Sequence, residues 1–211
     1  MIVAPAGDQA FVVRLGDRID PALGAEVLAL LARLDADRPP GVVDVLPGYA
    51  SVLVIYDPTG DAEEVRRWVG AAAARTDRVQ AAQPRRIEIP VTYDGEDLQA
   101  LSDEKGLTVA DVVALHSAPV YRCYLLGFRP GFPYLGGLHP LLEAARLPTP
   151  RLRVPAGSVG IGGKQTGVYP VDSPGGWRII GHTSARLFDP ERADPFLVHA
   201  GDSVVFVPGQ A

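Results

Sequence analysis

Hydrophobic positions in the first part of the chain follow two rhythms. Phe11-Val12-Val13-Arg14-Leu15 is a short β-rich run, and Leu23, Val27, Leu30, Leu31 and Leu34 then recur at helical spacing. Asp20 offers an N-cap and Pro21 suits the first helical position, while Pro39-Pro40-Gly41 stops the helix. Val42 to Leu46 and Ser51 to Tyr56 read as strands on either side of the turn signal Pro47-Gly48. A second helix is predicted from near Asp61, with Val65, Trp68, Val69, Ala72 and Ala73 on one face. The order β-α-β-β-α predicts a small α/β sandwich, two helices covering one face of a sheet.

Around Ala74 to Arg86 the pattern dissolves into polar residues, which predicts a linker and a domain boundary near residue 82. Domains of 1–82 and 83–211 follow. The second opens with a strand, Arg86 to Val91, and two short helices. One spans about Glu96 to Lys105 and ends at Gly106. The other starts at Thr108, where Thr108 and Asp111 match a capping box, and it cannot pass Pro119. Val120 to Leu126 is a further apolar run. From Tyr124 to Gly181 Gly and Pro crowd the chain, separating short β-type pieces at Ser158–Ile161, Thr166–Tyr169 and Trp177–Ile180. Short strands joined by such turns predict a barrel or a sandwich, with Ser203 to Pro208 as its last strand. The fold class is therefore α+β.

Composition narrows the function. The 211 residues are 47% hydrophobic and carry a formal net charge of −5, enough apolar material for a packed core. The basic residues are scattered, so no nucleic-acid partner is expected. No apolar run approaches the roughly 20 residues that span a bilayer, and the first residues lack the features of a secretion signal. A soluble, cytoplasmic protein without a membrane role is expected. The one cysteine, Cys123, excludes an intramolecular disulfide and reads as a buried strand residue. Four histidines at 116, 139, 182 and 199 lack close ligand spacing, so no metal is expected. No Walker A pattern or dinucleotide-binding glycine motif occurs.

The Gly/Pro-rich stretch holds four segments in order. They are Gly127-Phe128-Arg129-Pro130-Gly131-Phe132-Pro133-Tyr134-Leu135-Gly136-Gly137-Leu138, then Pro150 to Val159, Gly162 to Pro170, and Ser173 to Gly181. This series resembles the family of the B-type 5-oxoprolinase subunits, also called allophanate hydrolase subunit 1. Its relatives include a Kip-type inhibitor of a histidine kinase and part of the carboxyltransferase region of urea carboxylases. The resemblance spans the chain but is looser over the first 80 residues. It implies a cyclophilin-like β-barrel in the second domain and a C-type partner subunit. With an A-type subunit, the set is expected to open 5-oxoproline to glutamate using ATP, bound in this chain or elsewhere in the complex. Two departures stand out: His139, where relatives often carry Asp, and His182, where Arg is common.

Opening a resonance-stabilised lactam needs a cation for the substrate carboxylate, donors for a developing oxyanion, and phosphate-binding groups. Within the resembling segments Arg153, Lys164 and Arg178 are the candidate cations. Gln165, Thr166 and the amides of Gly162-Gly163 are candidate donors, with Gln165 favoured because a polar amide between glycine turns has little packing value. His116 is a candidate general acid or base, or else a capping or packing residue. Phe128, Phe132, Tyr134 and Trp177 read as core or interface residues. The alternative functions are a regulator that binds a sensor histidine kinase, or part of an allophanate/urea-type amidolyase; prolyl isomerase activity would rest on fold alone.

Overall fold

The computed structural model describes residues 1–75 and 84–209. The chain divides into two compact units, Met1–Gln83 and Pro84–Ala211; the boundary expected near residue 82 lies outside the described residues.

The first unit is a four-stranded antiparallel sheet in the order β1-β2-β4-β3, built from β1 (Ile2–Pro5), β2 (Ala10–Arg14), β3 (Val42–Pro47) and β4 (Ser51–Tyr56). Helices α1 (Pro21–Ala36) and α2 (Ala62–Ala74) supply its core with Val27, Leu30, Leu34, Val65 and Val69, packed against Phe11, Val13, Val52 and Val54. Asp20 caps α1 by accepting from Ala22 N and Leu23 N, and Asp61 caps α2 from Glu63 N and Glu64 N. The element order is therefore β-β-α-β-β-α. The added strand β1 pairs with β2, Ile2 opposite Arg14. None of its residues is fully buried, so it lacks the hydrophobic alternation that would have marked it in the sequence.

The second unit begins with β5 (Arg86–Val91), α3 (Leu98–Lys105) and α4 (Val109–Ser117). Gly106 ends α3 in the left-handed conformation, and the Thr108–Asp111 capping box is formed in both directions. Helix α3 starts later than the sequence suggests, because the Asp97 side chain is drawn away to Arg151 and the Ile179 amide. Eight strands follow: β6 (Tyr121–Leu126), β7 (Pro133–Gly136), β8 (Arg151–Val154), β9 (Ser158–Gly162), β10 (Gln165–Val168), β11 (Ser173–Gly175), β12 (Arg178–His182) and β13 (Ser203–Pro208). Seven strands form one sheet in the order β12-β9-β10-β7-β6-β13-β5, parallel only between β13 and β5, while β8 and β11 form a separate pair.

The seven-stranded sheet closes on itself. Just beyond β5, Thr92 exchanges two hydrogen bonds with His182 of β12, each 2.9 Å. A Cβ on the neighbouring Gly181 would lie 2.4 Å from the Thr92 carbonyl oxygen, so glycine permits the seam. Closure removes the exposed sheet edge and gives the barrel expected in this part of the chain. Its interior holds Ile89, Tyr121, Cys123, Leu135, Val159, Ile161, Val168, Val204 and Phe206, joined by Leu101 of α3 and Val112 of α4. Among the described residues no helix is long and apolar enough to cross a membrane.

Candidate functional site

Alternation along the barrel strands separates the predicted residues. Thr166 points inward, where His116 of α4 meets it. His116 is fully buried and stacked on Phe206, ring centroids 4.6 Å apart. Tyr93 Oη lies 2.8 Å from His116 Nδ1, His116 Nε2 lies 2.9 Å from Thr166 Oγ1, and Thr166 Oγ1 donates to the Gly160 carbonyl at 3.0 Å. Because the threonine proton goes to Gly160, the imidazole must donate through Nε2 and accept from Tyr93 at Nδ1. Burial alone pushes the imidazole down to about 3, so His116 is a neutral link in a satisfied chain of hydrogen bonds. Cys123 is also interior, its thiol pushed up to about 12, first by burial and then by Asp202. That is far from the thiolate a nucleophile requires.

Gln165 points the other way. Its cross-strand partners are Gly136 of β7 and Gly162 of β9, and Gly136 is in turn paired with Arg122 of β6. Arg122, Gly136, Gln165 and Gly162 thus form one row across the outer face of the barrel. Glycines pave that face. A Cβ at Gly136 would fall 2.4 Å from the Tyr124 ring, at Gly162 2.5 Å from the Trp177 indole, and at Gly167 3.2 Å from the Phe132 ring. Removing side chains from the strands lets aromatic rings lie flat on the sheet. Phe132, Tyr169 and Trp177 pack with Val154 and Ile179 as a second core outside the barrel.

Three cations near this face, Arg122, Arg146 and Arg129, have no acid beside them among the described residues; Arg129 lies over the exposed Phe128 ring at 5.6 Å. Arg122 Nε is buried and meets no hydrogen-bond acceptor there, a costly position unless a ligand or partner supplies an anion. Arg146 places its guanidinium 5.9 Å from the Trp177 ring centre. The sequence-predicted cations are differently placed. Arg153 is tied to Asp172 at 2.7 Å, Arg178 reaches Glu104 at 3.2 Å, and Lys164 lies 3.9 Å from Glu143. The structure does not gather them around Gln165. Nothing in the sequence singles out Arg122 or Arg146: an arginine in a strand looks like any outward residue, and Arg146 belongs to no resembling segment.

Beside the Gln165 row is an open pocket of about 240 Å³, bounded by Phe128, Phe132, Tyr134, Arg146, Tyr169 and Trp177, with Pro150, Pro174, Gly175 and Gly176 completing the rim. The four aromatics read as core or interface residues from sequence thus share one concave surface. Arg151 of β8 anchors the strand beside the rim, its Nη2 donating to both oxygens of buried Asp97 at 2.8 and 2.9 Å. Chemically the face offers an amide at Gln165, an unanswered cation at Arg122 and flat apolar walls, which suits a small planar substrate that develops negative charge. Among the described residues no three His, Cys, Asp or Glu side chains lie together as a metal-ligand set.

The two departures have local explanations. His139 caps a short 3-10 turn, its Nδ1 accepting from Leu141 N at 3.3 Å, as an Asp N-cap would. His182 contacts Asp94 at 2.7 Å beside the barrel seam.

Residues 1–198 match the family model described as the carboxyltransferase domain, subdomain C and D. The chain is 45% identical to the B-type 5-oxoprolinase subunit of Escherichia coli O157:H7 over 96% of its own length and 93% of that protein. It superposes on the crystal structure of TTHA0988 with a TM-score of 0.87 at 39% identity, covering 96% of this chain and 41% of that one. Urea carboxylase from Kluyveromyces lactis shares the fold, with a TM-score of 0.78 at 19% identity over 99% of this chain and 22% of that one. The chain belongs to the family of B-type 5-oxoprolinase subunits, built on the carboxyltransferase subdomain C and D fold.

Proposed function

We propose that this chain is one component of an ATP-dependent 5-oxoprolinase, inactive alone, which works in the cytoplasm with C-type and A-type subunits to open 5-oxoproline to glutamate. The observation that carries this reading is the row Arg122–Gly136–Gln165–Gly162 beside an aromatic pocket. Attack on a lactam carbonyl drives charge onto its oxygen. An amide donor and a guanidinium fixed on a rigid sheet oppose that charge without reorganising. A half-buried cation that the described residues leave unanswered also marks a site completed from outside, by substrate or by the partner subunit.

ATP, when bound, supplies activation of the amide oxygen. This pocket does not fit it. About 240 Å³ falls below the roughly 300–1,000 Å³ of ordinary small-molecule sites, and one rim arginine does not match a triphosphate. The nucleotide would be held outside this pocket, in this chain or elsewhere in the complex. His116, neutral inside the barrel, serves as a positioning residue for Thr166 and so for β10, which carries Gln165.

The test is co-expression with C-type and A-type subunits, followed by an assay for ATP-dependent glutamate release from 5-oxoproline. Turnover that requires all three chains is expected. A stable complex with no turnover would overturn the substrate in favour of another amide, such as an allophanate-type ureide. Failure of any complex to form would shift the reading to a regulator of a sensor kinase.

A further inference from the structure

The rim of the aromatic pocket carries three features that packing of the domain does not explain. Arg146 is the one charged residue in the lining, and no carboxylate lines the pocket with it. Elsewhere in the same segment Arg151, Arg153, Lys164 and Arg178 each lie beside an acid. Second, Phe128 has φ of 61°, the one positive value at a non-glycine position among the described residues. For a bulky side chain that conformation is strained. Burial does not offset that strain, since Phe128 remains 56% exposed, edge-on to Phe132 and Tyr169 at 5.6 and 6.4 Å and with Arg129 against its ring at 5.6 Å. Third, the pocket shares Trp177 with the Gln165 row, because that indole lies over Gly162.

From these we infer that the pocket recognises a small flat amide ring bearing a single carboxylate. Arg146 is the specificity residue for the anion, Trp177 and Tyr134 are the walls, and Phe128 is held over the mouth. The inference rests on the lactam-opening reading and adds the group that selects the substrate. The walls are aromatic rings, which favour a planar ligand over a branched one. Arg146, the one charged residue in the lining, matches one negative charge; Arg129 lies against the Phe128 ring at 5.6 Å but does not line the pocket. The position of Arg146 over Trp177 keeps its guanidinium poised at the rim instead of dispersed in solvent, on a pocket that adjoins the Gln165 row through Trp177.

The experiment uses intrinsic fluorescence and kinetics together. The chain has two tryptophans, Trp68 and Trp177, so Trp68→Phe leaves Trp177 as sole reporter. The full chain is titrated with 5-oxoproline and with 2-pyrrolidinone, the same ring without the carboxylate. Trp177 emission should respond to both. Arg146→Ala should weaken 5-oxoproline binding by about 10- to 100-fold, the range of a charged hydrogen bond, and leave 2-pyrrolidinone unchanged. Arg146→Lys should restore part of the loss. In the reconstituted complex, KM for 5-oxoproline should rise by a similar factor while kcat holds within about threefold.

Unchanged Kd and KM in Arg146→Ala, with a working complex, would overturn the inference and leave the lactam-opening reading intact. A complex that never turns over 5-oxoproline, beside a Trp177 response that still depends on Arg146 and on the carboxylate, would sink that reading and support the pocket. No response to either probe, with no change in KM, would also overturn the inference. Arg146→Glu provides a second variant and should abolish binding of the anion.

Discussion

Strands β9 and β10 are buried on both faces, yet their two faces are built on opposite plans. Inward they present Val159, Ile161 and Val168 to the barrel core, with Thr166 answering His116. Outward they present Gly160, Gly162 and Gly167, with Gln165 as the one side chain of any size. The inner face is chemically closed: every polar group of the Tyr93–His116–Thr166–Gly160 chain has its partner within this protein. The outer face is open, with Arg122 Nε buried and unanswered among the described residues and Arg146 beside a carboxylate-free pocket. The contrast separates two uses of buried polarity. A satisfied network fixes a fold; an unsatisfied one waits for a ligand.

Inner-face changes should therefore act on stability first. His116→Ala removes a packed ring and strands the Tyr93 and Thr166 hydroxyls in the core. It should lower the unfolding free energy by about 4 kcal/mol, a cavity cost plus lost hydrogen bonds. Urea denaturation of the full chain measures it; a loss below about 1 kcal/mol would break the comparison.

Acid should find the same residue. Folded His116 sits at about 3 because burial excludes its charged form, whereas the unfolded ring titrates near 6.5. Since the folded value is the lower one, the unfolded chain takes up the proton first as pH falls. The contribution is intact above about pH 6.5 and is lost toward pH 3, at about 1.4 kcal/mol per unit. Tyr93 and Tyr121, packed around the ring, are raised by burial and stay neutral throughout. Between pH 7 and pH 5 the protein should lose about 2 kcal/mol more than a His116→Phe variant does. Equal losses would show that another group carries the acid response.

How much of this can be read in the sequence varies with the range of the interaction. Caps at Asp20, Asp61 and Thr108 and the helix stop at Gly106 are local chemistry, and they are legible. Strands β7 and β11 are not, because Pro133, Gly136, Pro174 and Gly175 erase the alternation that marks a strand. The barrel seam depends on Thr92 meeting His182, a contact between residues far apart in sequence. Gln165 is readable as a polar residue with no packing purpose. Arg122 and Arg146 are not, since what distinguishes them is the lack of an acid beside them among the described residues, and only the folded chain shows which arginines have one.

On the outer face a smaller stability effect should accompany a larger change in the site. Gly162→Ala brings a methyl group within 2.5 Å of the indole, so Trp177 must move. A cost of about 1–2 kcal/mol is expected, with a red-shifted Trp177 emission in the Trp68→Phe background as the ring leaves its shelf. An unshifted spectrum would mean that the strands, and not the ring, give way.

The smallest stability effect should fall at Gln165, the residue proposed as the oxyanion donor. Gln165→Ala adds no atoms to a face already paved with glycine, and it leaves the inner network through Thr166 untouched. Its unfolding free energy should change by about 1 kcal/mol or less, and complex formation should persist. Glutamate release by the reconstituted three-subunit enzyme should nevertheless fall about 100-fold, as loss of one oxyanion donor does in other enzymes. The effect belongs in kcat, because the donor acts on charge that appears only during reaction. A loss confined to KM would make Gln165 a binding residue and move the chemistry toward Arg122. No loss at all would reduce the outer face to a docking surface and sharpen the comparison into one between a core and an interface.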